Sequence, residues 1–144
     1  MQARIVVGVD GSAHAQRAVD WCVEHASGMH AEVIAVHAIE PPGMGPAMGP
    51  YGAGMYPYSE DEIAAQRDVV ERVWVKPLAD AGIPCRVVVV EGVPARVLRE
   101  TAKAEGADLL VVGNRGCGVV AEHLLGSTTH KLTHHLDRPL VIVP

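Results

Sequence analysis

The residues of this chain best placed to do chemistry lie between Gly113 and Ser127, in the stretch GNRGCGVVAEHLLGS. Its glycines are spaced Gly113-x₂-Gly116-x₉-Gly126-Ser127. An apolar run, Ala107-Asp108-Leu109-Leu110-Val111-Val112, precedes it, and a helix-like segment begins near Thr128. Glycine lets backbone approach a ligand closely and adopt positive φ. The free N–H groups at a helix start, with the helix dipole behind them, attract anions, phosphate above all. The stretch therefore reads as a cradle for a phosphorylated small molecule. Within it Arg115 either reaches a phosphate oxygen or stays a solvated loop charge, and Asn114 stands in the same position. Cys117 lies close enough to a helix start for its thiol pKa to fall; an inert loop thiol is the plainer reading.

A second candidate is Asp10, which ends the apolar run Arg4-Ile5-Val6-Val7-Gly8-Val9 and precedes Gly11-Ser12. A carboxylate there can accept from a ribose hydroxyl or an amino group; equally, it can shape the Asp-Gly turn or help cap the following helix. His130 and His134 stand i, i+4 in HKLTH, a spacing that can hold a metal on one helical face. The sequence lacks the glutamate of HExxH and no third ligand is identifiable nearby, so no protein-held metal is expected. His37 ends a strand-like run, where a structural role is expected over a catalytic one.

These residues need elements to position them. The first strand, Arg4 to Val9, is apolar on both alternations, as strands buried on two faces are. Ser12 reads as the N-cap of a helix from Ala13 to Ser27, stopped by Gly28. Glu32 to Ile39 reads as a second strand. Ser59 and Glu62 make a capping box for a helix running toward Asp80, with a break expected near Val75-Lys76 because of Pro77. Pro84 to Val90, a helix from Pro94 to Glu105, Asp108 to Val112, a helix from Thr128 to Leu136, and Pro139 to Val143 complete the series. Such alternation gives an α/β fold, an open parallel sheet with helices on both faces. Ligands of such sheets sit beyond the strands' carboxyl ends, where strand order reverses. Between the second strand and the capping box lies a Gly/Pro/Met-rich insert at 41–58, PPGMGPAMGPYGAGMYPY. Two readings of it stand, a lid over the site and a disordered connection.

Composition narrows the function classes. The 144 residues suit one domain spanning 1–144. The net charge of −5 comes with no concentrated basic stretch, so nucleic acid is not expected as a partner. No apolar run approaches the roughly 20 residues that span a bilayer. Met1 to Arg4 leads straight into a strand, and the three cysteines lack paired spacing. Both point to a cytoplasmic protein with reduced thiols.

Taken together, these motifs resemble the universal stress proteins, in the subclass whose glycine motif binds ATP. The resemblance rests on Ile5-Val6-Val7-Gly8-Val9-Asp10-Gly11-Ser12, the strand ending in His37, Gly92-x-Pro94-Ala95, the glycine motif itself, and Arg138-Pro139-Leu140-Val141-Ile142-Val143. It implies a Rossmann-like sheet of the adenine nucleotide alpha hydrolase kind, in the order 3-2-1-4-5, with ATP or another adenine nucleotide over the gap between strands one and four. It implies that Asp10 contacts the adenine or ribose side, that Val9, Ala38 and Val112 help line the pocket, and that Gly113 and Gly116 approach ribose and phosphates. Gly126, Ser127 and Thr128 would bind phosphate, and any Mg²⁺ would be held through the phosphates. It also implies homodimers formed through strand 139–143. The insert at 41–58 departs from the helix-bearing connection usual in the family.

Three functional readings compete. A nucleotide-binding stress-response sensor uses the intact glycine motif. An enzyme needs more. A P-loop ATPase requires GxxxxGK[ST], and no Gly-Lys pair exists here. Gly116 to Ala121 satisfies GxGxxA, but a dinucleotide fingerprint belongs in the first βα turn, not after the fourth strand. Asp10 is the only acidic candidate base at the crevice, so slow ATP hydrolysis is the most that is expected. The third reading, a ligand-free dimeric partner-binding module, leaves the glycine motif without a purpose.

Overall fold

The computed structural model describes residues 2–40, 57–115 and 126–144. In chain order these form β1 (Ala3–Gly8), α1 (Ala13–His25), β2 (Ala31–Ile39), α2 (Glu60–Val69), a π-helical turn (Val70–Trp74), α3 (Lys76–Asp80), β3 (Cys85–Glu91), α4 (Pro94–Ala104), β4 (Leu109–Gly113), α5 (Ser127–His135) and β5 (Leu140–Val143). The strands pair in parallel in the order β3-β2-β1-β4-β5. The reversal of order falls between β1 and β4, which pair from Ile5↔Leu109 to Val7↔Val111.

The continuous apolar strands have their cause in burial on both faces. Ile5, Val7, Val33 and Ala35 pack with Ala18, Val19 and Cys22 of α1 and Leu78 of α3. Val6, Ile34 and Leu110 pack on the other face with Leu98 and Ala102 of α4 and Leu132 of α5. Fully burying a side chain of this size contributes about 1.5–3 kcal/mol, so adjacent strand residues anchor opposite layers.

Local signals set most of the ends. Ser12 Oγ accepts from the Ala15 N–H at 3.1 Å and caps α1. Ser59 and Glu62 form the reciprocal capping box of α2, each bond 3.1 Å long. The break expected near Val75-Lys76 is present but begins earlier. In a continuous helix the Pro77 ring would meet the carbonyl of Val73. The chain instead widens over Val70–Trp74, and the Val75 N–H reaches back to the Val70 carbonyl at 2.9 Å. α1 ends at His25, before Ser27, because the turn to β2 uses His30 at φ +51. Far from the strands' carboxyl ends, Arg138 Nη1 donates to the carbonyls of Ala102 and Ala107, each at 2.8 Å, closing the end of α4.

The helix expected over Thr128 to Leu136 runs one residue earlier, from Ser127 to His135; Gly126 stands at the cap position, and no side chain bonds there among the described residues. The Gly126 N–H instead donates to the Asn114 carbonyl at 2.9 Å. Of the insert at 41–58, only Pro57 and Tyr58 belong to the described residues. Among those residues no helix is long and apolar enough to cross a membrane.

Candidate functional site

A cavity of about 450 Å³ opens over the carboxyl ends of β1, β2 and β4, within the usual size of small-molecule sites. The ends of β1 and β2 contribute Val9, Asp10 and Ala38. β4 and the residues behind it contribute Val112, Gly113 and Arg115, and the start of α5 contributes Gly126, Ser127 and Thr128. The structure thus brings together nine of the residues that the sequence assigned to a ligand, and His37, expected to be structural, lines the cavity with them. Gly116 lies outside the described residues, as do Cys117 and the rest of the GxGxxA pattern.

Other lining residues escape sequence reasoning. Pro94 and Leu98 face the cavity from the first turns of α4, and Glu40 joins them from the end of β2. The signal for α4 was topological. A right-handed crossover returns each helix start to the carboxyl rim of the sheet, so Gly92-x-Pro94 marks a rim position as well as a helix start.

Each wall is held by specific bonds. Asp10 Oδ1 accepts from the Ser12 N–H at 2.9 Å, so its carboxylate shapes the turn into α1 as well as lining the cavity. His37 Nδ1–H donates to the Val9 carbonyl at 3.0 Å, which fixes the tautomer and leaves Nε2 as the acceptor of the neutral ring. Burial holds its pKa below the usual histidine value of 6.5, against the opposing effects of the Val9 bond and the Asp10 charge. Thr129, buried in α5, donates its hydroxyl hydrogen to the Gly113 carbonyl at 2.9 Å. Gly113 has a further constraint. A Cβ there would stand 2.5 Å from the His14 carbonyl oxygen and 3.0 Å from the Ala15 nitrogen. Close packing of β4 against α1 therefore demands glycine at 113 whether or not a ligand approaches it.

The first turn of α5 presents orphan N–H groups and the positive end of its dipole to the cavity. Arg115 adds a guanidinium, while Asp10 and Glu40 add carboxylates from the strand ends. An apolar slot formed by Val9, Val36, Ala38 and Leu98 lies beside these polar groups. Such a cavity suits a ligand with a flat apolar part, hydroxyls and a phosphate. His130 and His134 lie exposed on α5, their rings edge to face at 4.8 Å. Among the described residues no group of three His, Cys, Asp or Glu side chains is arranged to hold a metal.

Comparison with known proteins bears on the family. The model of the universal stress protein family matches residues 1–144. The chain belongs to the universal stress protein family.

A universal stress protein of Mycolicibacterium smegmatis is 33% identical over 140 residues, covering 96% of this chain and 47% of that protein. One from Thermus aquaticus is 31% identical over 140 residues, covering 96% of each. The chain thus spans about half of the first relative and nearly all of the second. Among solved structures, the universal stress protein UspA from Lactobacillus plantarum superposes with a TM-score of 0.77 at 22% identity, covering 99% of this chain and 97% of its own. At that identity the likeness is one of fold. A universal stress protein in complex with cAMP superposes with a TM-score of 0.71 at 29% identity, covering 99% of this chain and 96% of its own. The universal stress protein fold thus accounts for the parallel sheet and for a rim formed where β1 and β4 part.

Proposed function

We propose that this chain binds an adenine nucleotide in the cavity between the ends of β1 and β4 and works as a nucleotide-binding sensor. The observation that carries the reading is the convergence of Asp10, Ala38, Arg115 and the first turn of α5 on one cavity of about 450 Å³. The base occupies the apolar slot, a ribose hydroxyl donates to Asp10, and phosphate meets the N–H groups of Ser127 and Thr128 with Arg115 beside them. The complex of a 29% identical family member with cAMP supports the adenine assignment. Mg²⁺ enters only as a counter-ion of the phosphates. Asp10 Oδ1 already accepts from the Ser12 N–H, which ties the carboxylate to the turn rather than to a water, so hydrolysis is slow at most.

The sensor acts as a homodimer through β5. That strand lies at the sheet edge with its backbone open on one side, and Leu140, Val141, Ile142 and Val143 are all half-buried. Titration calorimetry with ATP, ADP, AMP and cAMP tests the binding, and light scattering tests the dimer. No heat and no rise in melting temperature with any of the four would overturn the nucleotide reading.

A further inference from the structure

The edge of the cavity formed by Val9 and Asp10 lies where the sheet stops supporting β1. The last β1–β2 pair is Gly8↔Val36 and the last β1–β4 pair is Val7↔Val111. The Val9 N–H still finds the Val36 carbonyl at 2.9 Å, but the Val9 carbonyl lies beyond both ladders. His37 Nδ1–H takes it at 3.0 Å. The orientation of the peptide leading into Asp10 therefore depends on a side chain of the neighbouring strand.

His37 in turn is held by Trp74. The two rings meet edge to face, with centroids 4.9 Å apart and planes at 88°. The same indole supports the other side of the loop. Gly11 has φ +81, and a Cβ there would stand 2.6 Å from Trp74 Cζ2. Trp74 thus packs against the residue after Asp10 and against the ring that fixes the residue before it. Its place is set by the π-helical turn Val70–Trp74, and single π turns inside helices are frequent at functional sites.

We infer that Trp74 and His37 are a positioning pair for the Val9–Asp10 edge, and that ligand affinity depends on their contact. The inference rests on the nucleotide reading proposed above. Trp74 acts through His37 and Gly11. Trp74 adds no group to the cavity, whereas His37 also lines it; their contact removes the freedom of the strand end, which a ligand would otherwise have to restrict on binding.

The test uses the two tryptophans, Trp21 and Trp74. In a Trp21→Phe protein, Trp74 is the sole indole, and its emission is followed while cAMP and, separately, ATP are added. A ligand-dependent change in emission is expected. Trp74→Leu and His37→Leu should each weaken binding by about five- to tenfold, the effect of one lost hydrogen bond or ring contact. Trp74→Phe, which keeps an aromatic edge, should restore near-normal affinity. Normal affinity in both leucine variants overturns the pair, as does an emission that stays constant through saturation. The emission readout changes neither residue, so it decides the matter should a leucine variant fail to fold. Failure of the unaltered protein to bind any adenine nucleotide by calorimetry would instead overturn the nucleotide reading, and the pair with it.

Discussion

Gly113 and Thr129 are joined by a hydrogen bond in which the Thr129 hydroxyl donates to the Gly113 carbonyl across 2.9 Å. This bond ties the start of α5 to the last residue of β4, the two elements that lie on either side of the described glycine loop ends. Thr129→Val keeps the shape and removes the donor, leaving a buried carbonyl without it. Urea unfolding should show a loss of about 1–3 kcal/mol. Unchanged stability would mean that the carbonyl finds another partner at no cost.

Gly113 and Gly126 should separate stability from binding. Gly113→Ala places a methyl group against the backbone of His14 and Ala15, so α1 must shift. A loss of about 1–3 kcal/mol is expected by urea unfolding. Gly126 has φ −59 and ψ 157, which any residue adopts. Gly126→Val should therefore fold normally and lose nucleotide affinity about tenfold or more, because its branched side chain stands where phosphate would lie. Normal affinity by calorimetry would refute the phosphate assignment.

The described cysteines should resist alkylation in the folded protein. Burial is the main cause that raises Cys22 to about 12 and Cys85 to about 11 from a usual value of 9.0. Near neutral pH neither has appreciable thiolate, so iodoacetamide should label both only in urea, as peptide mapping would show. The same shifts make a stability claim. The unfolded chain loses these protons first, so their contribution is complete below about pH 9 and is lost as pH rises toward 11 and 12. Cys85→Ser should shorten that alkaline decline.

His37 predicts the opposite limb. Its folded pKa lies below 6.5, chiefly through burial, so the unfolded chain binds the proton more readily. Stability should fall as pH drops below about 6.5. His37→Asn keeps a side-chain N–H donor but cannot titrate, so its acid limb should be flatter in pH-dependent melting curves. An identical slope would show that other groups govern the acid limb.

Much of this fold was legible because its local signals agree. Ile5, Val6 and Val7 announce a strand buried on two faces, and Ser12 and Ser59 announce the helices they cap. The lining of the cavity was legible where it is made of a strand end and a helix start, as at Asp10 and Thr128, while Ala38 came from the family resemblance. It was less so where contact depends on topology. Pro94 and Leu98 reach the cavity because a crossover brings α4 to the rim, which no spacing in the sequence records. Gly113 carried an ambiguous signal, since a glycine required by a ligand and one required by a neighbouring helix look alike. The π turn was invisible for another reason. α2 buries none of its own residues, so no apolar period marked where the helix changes pitch.

That turn has a consequence for how the site could drift. A π turn holds one residue more than the α-helical turn it replaces, and each residue of an α-helix turns the chain by about 100°. Deleting any one residue between Val70 and Trp74, whatever its type, would carry the indole about a quarter-turn round the helix axis, away from Gly11 and His37. The position of Trp74 is therefore encoded in a count of residues, and a relative could keep every side chain named here yet misplace the ring through a single-codon deletion.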